Sequence, residues 1–199
     1  NNQNVITLIF RRYNHLNVQD MTFNPGGVGA NSNIYDIEIL KNDKILVSGG
    51  FTEYNNIPRK CLAKLNPNGT LDTSFASYNF EAYTIFNAKE LPDNKYLISG
   101  SFENYQGVSS KMIAKLNTDG TRDTSFNVGT GANDLIWCTD FQPDGKILIG
   151  GDFVSYNGTS RNRIARLANT VLLHTESYQD SPVTIHPNPC RNNLQLSNI

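Results

Sequence analysis

Lys146-Ile147-Leu148-Ile149-Gly150-Gly151-Asp152-Phe153-Val154-Ser155-Tyr156 is a short apolar run that ends in glycine and leads into two spaced aromatics. The same frame occurs twice before it. Lys95, Tyr96-Leu97-Ile98-Ser99, Phe102 and Tyr105 form one copy; Lys44, Ile45-Leu46-Val47-Ser48, Phe51 and Tyr54 form the other. The offset is 51 residues each time, and Ala63 with Leu65, Ala114 with Leu116 and Ala165 with Leu167 keep it. Phe75 and Phe126 are also 51 apart, whereas Phe23 precedes Phe75 by 52, which marks one inserted or lost residue in that arc. So many coincidences at a single period identify a tandem repeat.

Inside each unit the segments read as strands. The apolar runs follow Lys41-Asn42-Asp43, Pro92-Asp93-Asn94 and Pro143-Asp144-Gly145, turn sequences whose Asn, Asp and Gly tolerate the positive φ of tight hairpins. Ile34–Leu40 is therefore expected to pair with Lys44–Ser48. A third strand is expected at Leu62–Leu65, Ile113–Leu116 and Ile164–Leu167, and a short outer one at Leu71–Phe75 and Arg122–Phe126. Helical periodicity is absent. A period near 50 residues belongs to propellers and related arrays rather than to helical solenoids. The expected fold is all-β: three complete four-stranded β-propeller blades (24–75, 76–126 and 127–170), preceded at 1–23 by the end of another blade. Propellers generally need four to eight blades to close. The ring is thus incomplete, and the reading expects either a larger protein of which this is the C-terminal part or copies that assemble.

Composition narrows the function classes. The 199 residues are 38% hydrophobic and 18% charged, with net charge −1, values of an ordinary globular chain. Near-neutral charge gives no electrostatic reason to expect nucleic acid, and no apolar run is long enough to cross a bilayer. Cys61, Cys138 and Cys190 are odd in number and lack motif spacing. They read as free, partly buried thiols, with a Cys61–Cys138 bridge as the other possibility.

Most residues that could carry chemistry are periodic. Phe51/Phe102/Phe153, Tyr54/Tyr105/Tyr156 and Phe23/Phe75/Phe126 recur once per unit, as packing between blades requires; the only tryptophan, Trp137, aligns with Tyr35 and Phe86 and is read the same way. Asp20, Asp72 and Asp123 are expected to cap a turn by accepting backbone N–H groups. Lys44/Lys95/Lys146 and Lys64/Lys115/Arg166 are expected to lay their stems on apolar surface with their heads in water. Non-repeated acids (Glu53, Glu81, Glu103, Asp134, Asp140, Asp152) are not brought together by any spacing, although glycosidic cleavage needs two at a defined separation. No catalytic residue, metal site or cofactor is expected. Aromatics without equivalents, among them Tyr78, Phe80 and Tyr83, are freer to make surface contacts, and Tyr78 and Phe80 mark the candidate binding loop.

Phe153 to Gly158 (Phe-x-x-Tyr-Asn-Gly), Arg161 to Leu167 (Arg-Asn-Arg-Ile-Ala-Arg-Leu), Asp119 to Phe126 (Asp-Gly-x-x-Asp-Thr-Ser-Phe) and Gln142 to Leu148 together resemble the delta-60 repeat, a bacterial β-propeller repeat of uncharacterised role. The resemblance covers about residues 8–167. In the middle unit Ser99-Gly100-Ser101 stands where the third has Gly-Gly-Asp, so these positions vary between blades. After Leu167 the pattern fails. Residues 171–182 read as a linker, and 183–199 carry Val183-Thr184-Ile185-His186-Pro187-Asn188-Pro189 followed by Leu194 and Leu196. This tail is similar to the opening of the C-terminal sorting domain of type IX secretion substrates, a β-sandwich, with Pro187, Asn188 and Pro189 as its motif. The resemblance implies export to the cell surface through a type IX translocon and its shuttle components. The expected function is a secreted binding or adhesion scaffold for a surface glycan or protein. The alternative is an enzyme acting on polysaccharide, or its accessory module, with catalytic residues largely outside this chain.

Overall fold

The computed structural model describes residues 12–13, 15–76 and 82–168. Tyr78, Phe80, Cys190 and Pro187, Asn188 and Pro189 lie outside these, as do residues 171–182 and 183–199, expected from the sequence to be a linker and the opening of a sorting domain. Among the described residues no helix is long and apolar enough to cross a membrane.

Three sheets follow one another along the chain, each built from the same five segments. The first has β1 (Ile34–Ile39), β2 (Ile45–Gly49), β3 (Glu53–Tyr54), β4 (Ile57–Pro58) and β5 (Leu62–Leu65). The second has β6 (Ala82–Glu90), β7 (Tyr96–Phe102), β8 (Asn104–Tyr105), β9 (Val108–Ser109) and β10 (Ile113–Leu116). The third has β11 (Ile136–Phe141), β12 (Ile147–Gly151), β13 (Ser155–Tyr156), β14 (Thr159–Ser160) and β15 (Ile164–Leu167). Each main sheet is antiparallel and three-stranded, in the orders β1-β2-β5, β6-β7-β10 and β11-β12-β15, with a two-residue hairpin set apart from it. The hairpin expected between the first two strands forms, with Ile39 opposite Ile45 and Ile37 opposite Val47.

The outer strand differs from expectation. Leu71–Phe75 and Arg122–Phe126 contribute one bridge each, Leu65 to Leu71 and Leu116 to Arg122. The chain then leaves the ladder because Asp72 turns it. Its Oδ1 accepts the Ser74 N–H at 3.1 Å and the Ser74 hydroxyl at 2.6 Å, and Asp123 does the same with Ser125 at 3.0 and 2.6 Å. The capping role read from the sequence is thus what shortens the fourth strand. The partial unit repeats the device: Tyr13 bridges Gln19, and Asp20 accepts the Thr22 N–H at 2.9 Å.

The middle strands of the first two sheets are buried at successive positions because packed units lie on both of their faces, whereas in the third Leu148 is only half-buried. Val47 packs with Phe23, Phe51 and Tyr54, while its neighbour Leu46 joins Phe75, Ile98, Phe102 and Tyr105. Leu97 likewise belongs to the next core, with Ile113, Phe126, Phe153 and Tyr156. One core therefore fills each seam. The three periodic sets Phe51/Phe102/Phe153, Tyr54/Tyr105/Tyr156 and Phe23/Phe75/Phe126 are all buried in these cores. The Asn-x-x-Gly turn of one blade receives the Phe of the unit before it: a Cβ added to Gly120, at φ +87°, would meet the Phe75 ring at 2.9 Å. Tyr105 seals the same turn, its hydroxyl donating to Gly120 O at 2.8 Å; Tyr54 does so to Gly69 O at 2.9 Å.

The lysine heads do not simply stay in water. Lys44 pairs with Asp72 at 2.7 Å and Lys95 with Asp123 at 2.8 Å, so in the first two units the periodic lysine holds the periodic aspartate that turns the chain; Lys146 pairs instead with Asp144 of its own hairpin turn. Lys115 is buried against Asp93 at 2.7 Å, and Lys64 lies over the Phe75 and Tyr96 rings. Cys61 and Cys138 are both free, the first buried and the second exposed. No bridge joins them.

Candidate ligand cleft at a blade seam

β1, β6 and β11 are the strands at which neighbouring sheets converge. They run side by side in the same direction, 51 residues apart, and are joined by side chains instead of a ladder. Asp36 Oδ2 accepts the Asn87 amide at 2.7 Å and the Ala88 N–H at 3.0 Å; Asn87 Oδ1 in turn accepts the Thr139 hydroxyl at 2.5 Å and its N–H at 3.2 Å. One step along, Glu38 pairs with Lys89 at 2.9 Å. These inner-strand acids are occupied in holding blade to blade.

At one end of the same strands each blade carries a β-bulge, between Ile34 and Asp36, between Ile85 and Asn87, and between Ile136 and Cys138. The extra residue is Tyr35, Phe86 or Trp137. A bulge re-aims the side chain it carries, and here it turns an aromatic out of the core. Tyr35 meets Phe86 edge-on with centroids 5.8 Å apart, and Phe86 stacks on Trp137 at 4.2 Å. Tyr35 and Trp137 remain about half exposed, at 54% and 45%. Core packing, expected from their alignment, is not their place: they form a row across three blades that opens to solvent.

Beside this row, in the seam between the first and second blades, lies a cleft of about 760 Å³. Gly50, Thr52, Lys60 and Cys61 line it from the first blade; Tyr83, Ser101, Glu103, Asn104 and Met112 from the second. Tyr83 is 85% exposed at the flank of the loop that the sequence marks as a candidate. Two repeat columns that line the cavity change between blades. Position 50 is glycine where the following blades have Ser101 and Asp152, and position 61 is cysteine where they have Met112 and Arg163. Cys61, Met112 and Arg163 share one left-handed backbone conformation, with φ of 61°, 72° and 65°, so only the side chain changes. Met112 packs against the core of the next seam, and Cys61, the smaller side chain in that column, is buried in the core of this one.

The paired glycines after the second strand divide by role. A Cβ on Gly49, Gly100 or Gly151 would lie 2.0, 2.3 or 2.0 Å from the backbone oxygen of Asn33, Thr84 or Leu135, at the start of the first strand or just before it, so glycine is obligatory there. At Gly50 a Cβ would meet nothing nearer than 3.7 Å, the second contact being Tyr35 at 3.8 Å. Backbone geometry does not demand glycine at this position; its effect is to keep the cleft floor clear.

The cleft's charges are uneven. Glu103 is engaged by Lys111 at 3.2 Å, whereas Lys60, among the described residues, has no carboxylate partner. Burial pushes the Cys61 thiol up, against the opposing effect of Lys60 and a hydrogen bond from the Ile85 backbone, so the thiol is protonated at neutral pH. In the third blade the same spot holds charge instead: the Trp137 indole N–H and Arg163 donate to the two oxygens of Asp152 at 2.8 and 2.7 Å. Among the described residues no three His, Cys, Asp or Glu side chains gather as a metal site would need.

Sequential antiparallel sheets with converging first strands and one core per seam define a β-propeller array. The chain belongs to the family described as a domain of unknown function (DUF5122) beta-propeller, whose model matches residues 40–75, 91–126 and 142–170. No curated protein matches the chain. Of the sequence-marked residues, Tyr83 borders the cleft. Cys61 is read from the sequence only as a free thiol, and Gly50 and Lys60 are not read as site residues, although columns 50 and 61 both break the repeat.

Proposed function

We propose that this chain is a cell-surface binding scaffold, secreted as a cargo of the type IX system, in which the propeller presents the seam cleft and its aromatic row to a ligand. The carrying observation is the cleft itself, a ligand-sized cavity lined by two departures from a repeat that is otherwise kept for packing. Rigid frames bearing variable residues are the usual platform for recognition. Export rests on the likeness of Val183–Pro189 to the sorting-domain opening, with Pro187, Asn188 and Pro189 read by the translocon.

The test is localisation of the protein, expressed from its complete reading frame, in a type IX-competent host and in a translocon-deficient strain. Surface labelling and protease accessibility in the competent host, with periplasmic retention in the deficient one, are expected. Retention in both strains overturns the export reading.

A further inference from the structure

We infer that the cleft between the first and second blades takes a saccharide unit that carries a carboxylate, a uronic acid residue within a glycan chain. This rests on the scaffold reading and names the ligand class for its site. The volume of about 760 Å³ lies within the range of roughly 300–1,000 Å³ in which small-molecule sites fall. Both walls come from complete blades, so the space is a property of this seam and not of an open end of the array.

The lining has the chemistry of a sugar site. Tyr83, 85% exposed, and Tyr35, close to the cleft floor at Gly50, offer ring faces for the C–H side of a pyranose. Thr52, Ser101 and Asn104 supply neutral hydroxyl and amide groups for ring hydroxyls. One charge is left over: among the described residues Lys60 has no carboxylate partner, whereas Glu103, which also lines the cleft, is paired with Lys111 at 3.2 Å. A single cation among neutral donors fits one carboxylate on an otherwise uncharged ligand. It does not fit a nucleotide or polyphosphate, whose several charges call for a cluster of basic groups.

The second and third blades supply the controls. Gly50→Ser with Cys61→Met gives this seam the pair found at Ser101 and Met112, in the left-handed backbone conformation that Met112 also adopts, and so adds bulk at the cleft lining. Lys60→Met removes only the charge. Calorimetric titration of the protein with galacturonate oligomers and with neutral gluco-oligomers is the experiment. Uronate oligomers are expected to bind in preference, Lys60→Met to weaken them by about ten-fold or more, the size of one charge-assisted hydrogen bond, and the double variant to abolish binding while still unfolding in one cooperative transition. Uronate binding that survives both variants overturns the site. Equal affinity for neutral oligomers, insensitive to Lys60→Met, overturns the carboxylate. If no saccharide binds while the protein is still found on the cell surface, this inference fails and the export reading stands; periplasmic retention in the competent host fails the latter alone.

Discussion

The ammonium of Lys95 lies 2.8 Å from Oδ2 of Asp123, a carboxylate only 5% exposed that also accepts two hydrogen bonds from Ser125. Burial alone would push this carboxyl up. The lysine and the serine outweigh it and hold the group at about 2, and Asp72 is lowered in the same way by Lys44 and Ser74. The pair is structural, since it sits where the first and second units leave their sheets and enter the next seam.

A depressed carboxylate stabilises the fold above its unfolded pKa, about 3.9, and that contribution disappears as pH falls through the folded value. The expected loss between about pH 4 and pH 2 is roughly 2 kcal/mol for Asp123. Urea unfolding of the parent and of Asp123→Asn across this window checks it. The parent should lose more stability than the variant; parallel curves would mean that the pair contributes nothing.

Gly100 and Gly50 are expected to respond in opposite ways to one methyl group. A Cβ on Gly100 would sit 2.3 Å from Thr84 O, so Gly100→Ala must displace backbone, at a cost of about 2 kcal/mol or more. Gly50→Ala has open space and should change stability by no more than about 0.5 kcal/mol. Thermal unfolding of the two variants side by side measures the difference.

Tyr105→Phe removes a hydroxyl that is buried and donates to Gly120 O at 2.8 Å. The carbonyl loses a buried partner, and a loss of about 1–2 kcal/mol is expected. Hydrogen exchange should open first in the Asn117–Thr121 turn and in the seam that receives Phe75. Unchanged protection there would disconnect the turn from the seam.

Trp137 is the only tryptophan, and its ring is stacked on Phe86 at 4.2 Å. Phe86→Ala uncovers that face. Emission should shift to the red and acrylamide quenching should rise, with a stability loss of about 1 kcal/mol for the lost aromatic pair. An unchanged quenching constant would show that the row is not stacked in solution.

The sequence by itself determined the repeat, the strand register and the seam cores, because packing between identical units forces the same residue at the same place every 51 positions. Phe51, Tyr54 and Phe75 could be read as core for that reason. The same periodicity misled for Trp137: alignment with Tyr35 and Phe86 implied burial, yet a bulge shared by all three blades turns these rings outward, and a one-residue bulge leaves no mark in the spacing. It also promised a short outer strand at Leu71–Phe75, which Asp72 cuts to one bridge through a local turn that competes with the ladder. Lys44 and Asp72 stand 28 residues apart, and nothing along the chain pairs them; only the folded sheet does. The cleft is the clearest case. Columns 50 and 61 each break the repeat visibly, but that the two breaks fall on the same side of one seam, where both line a cavity, is a fact of three dimensions that linear spacing does not carry.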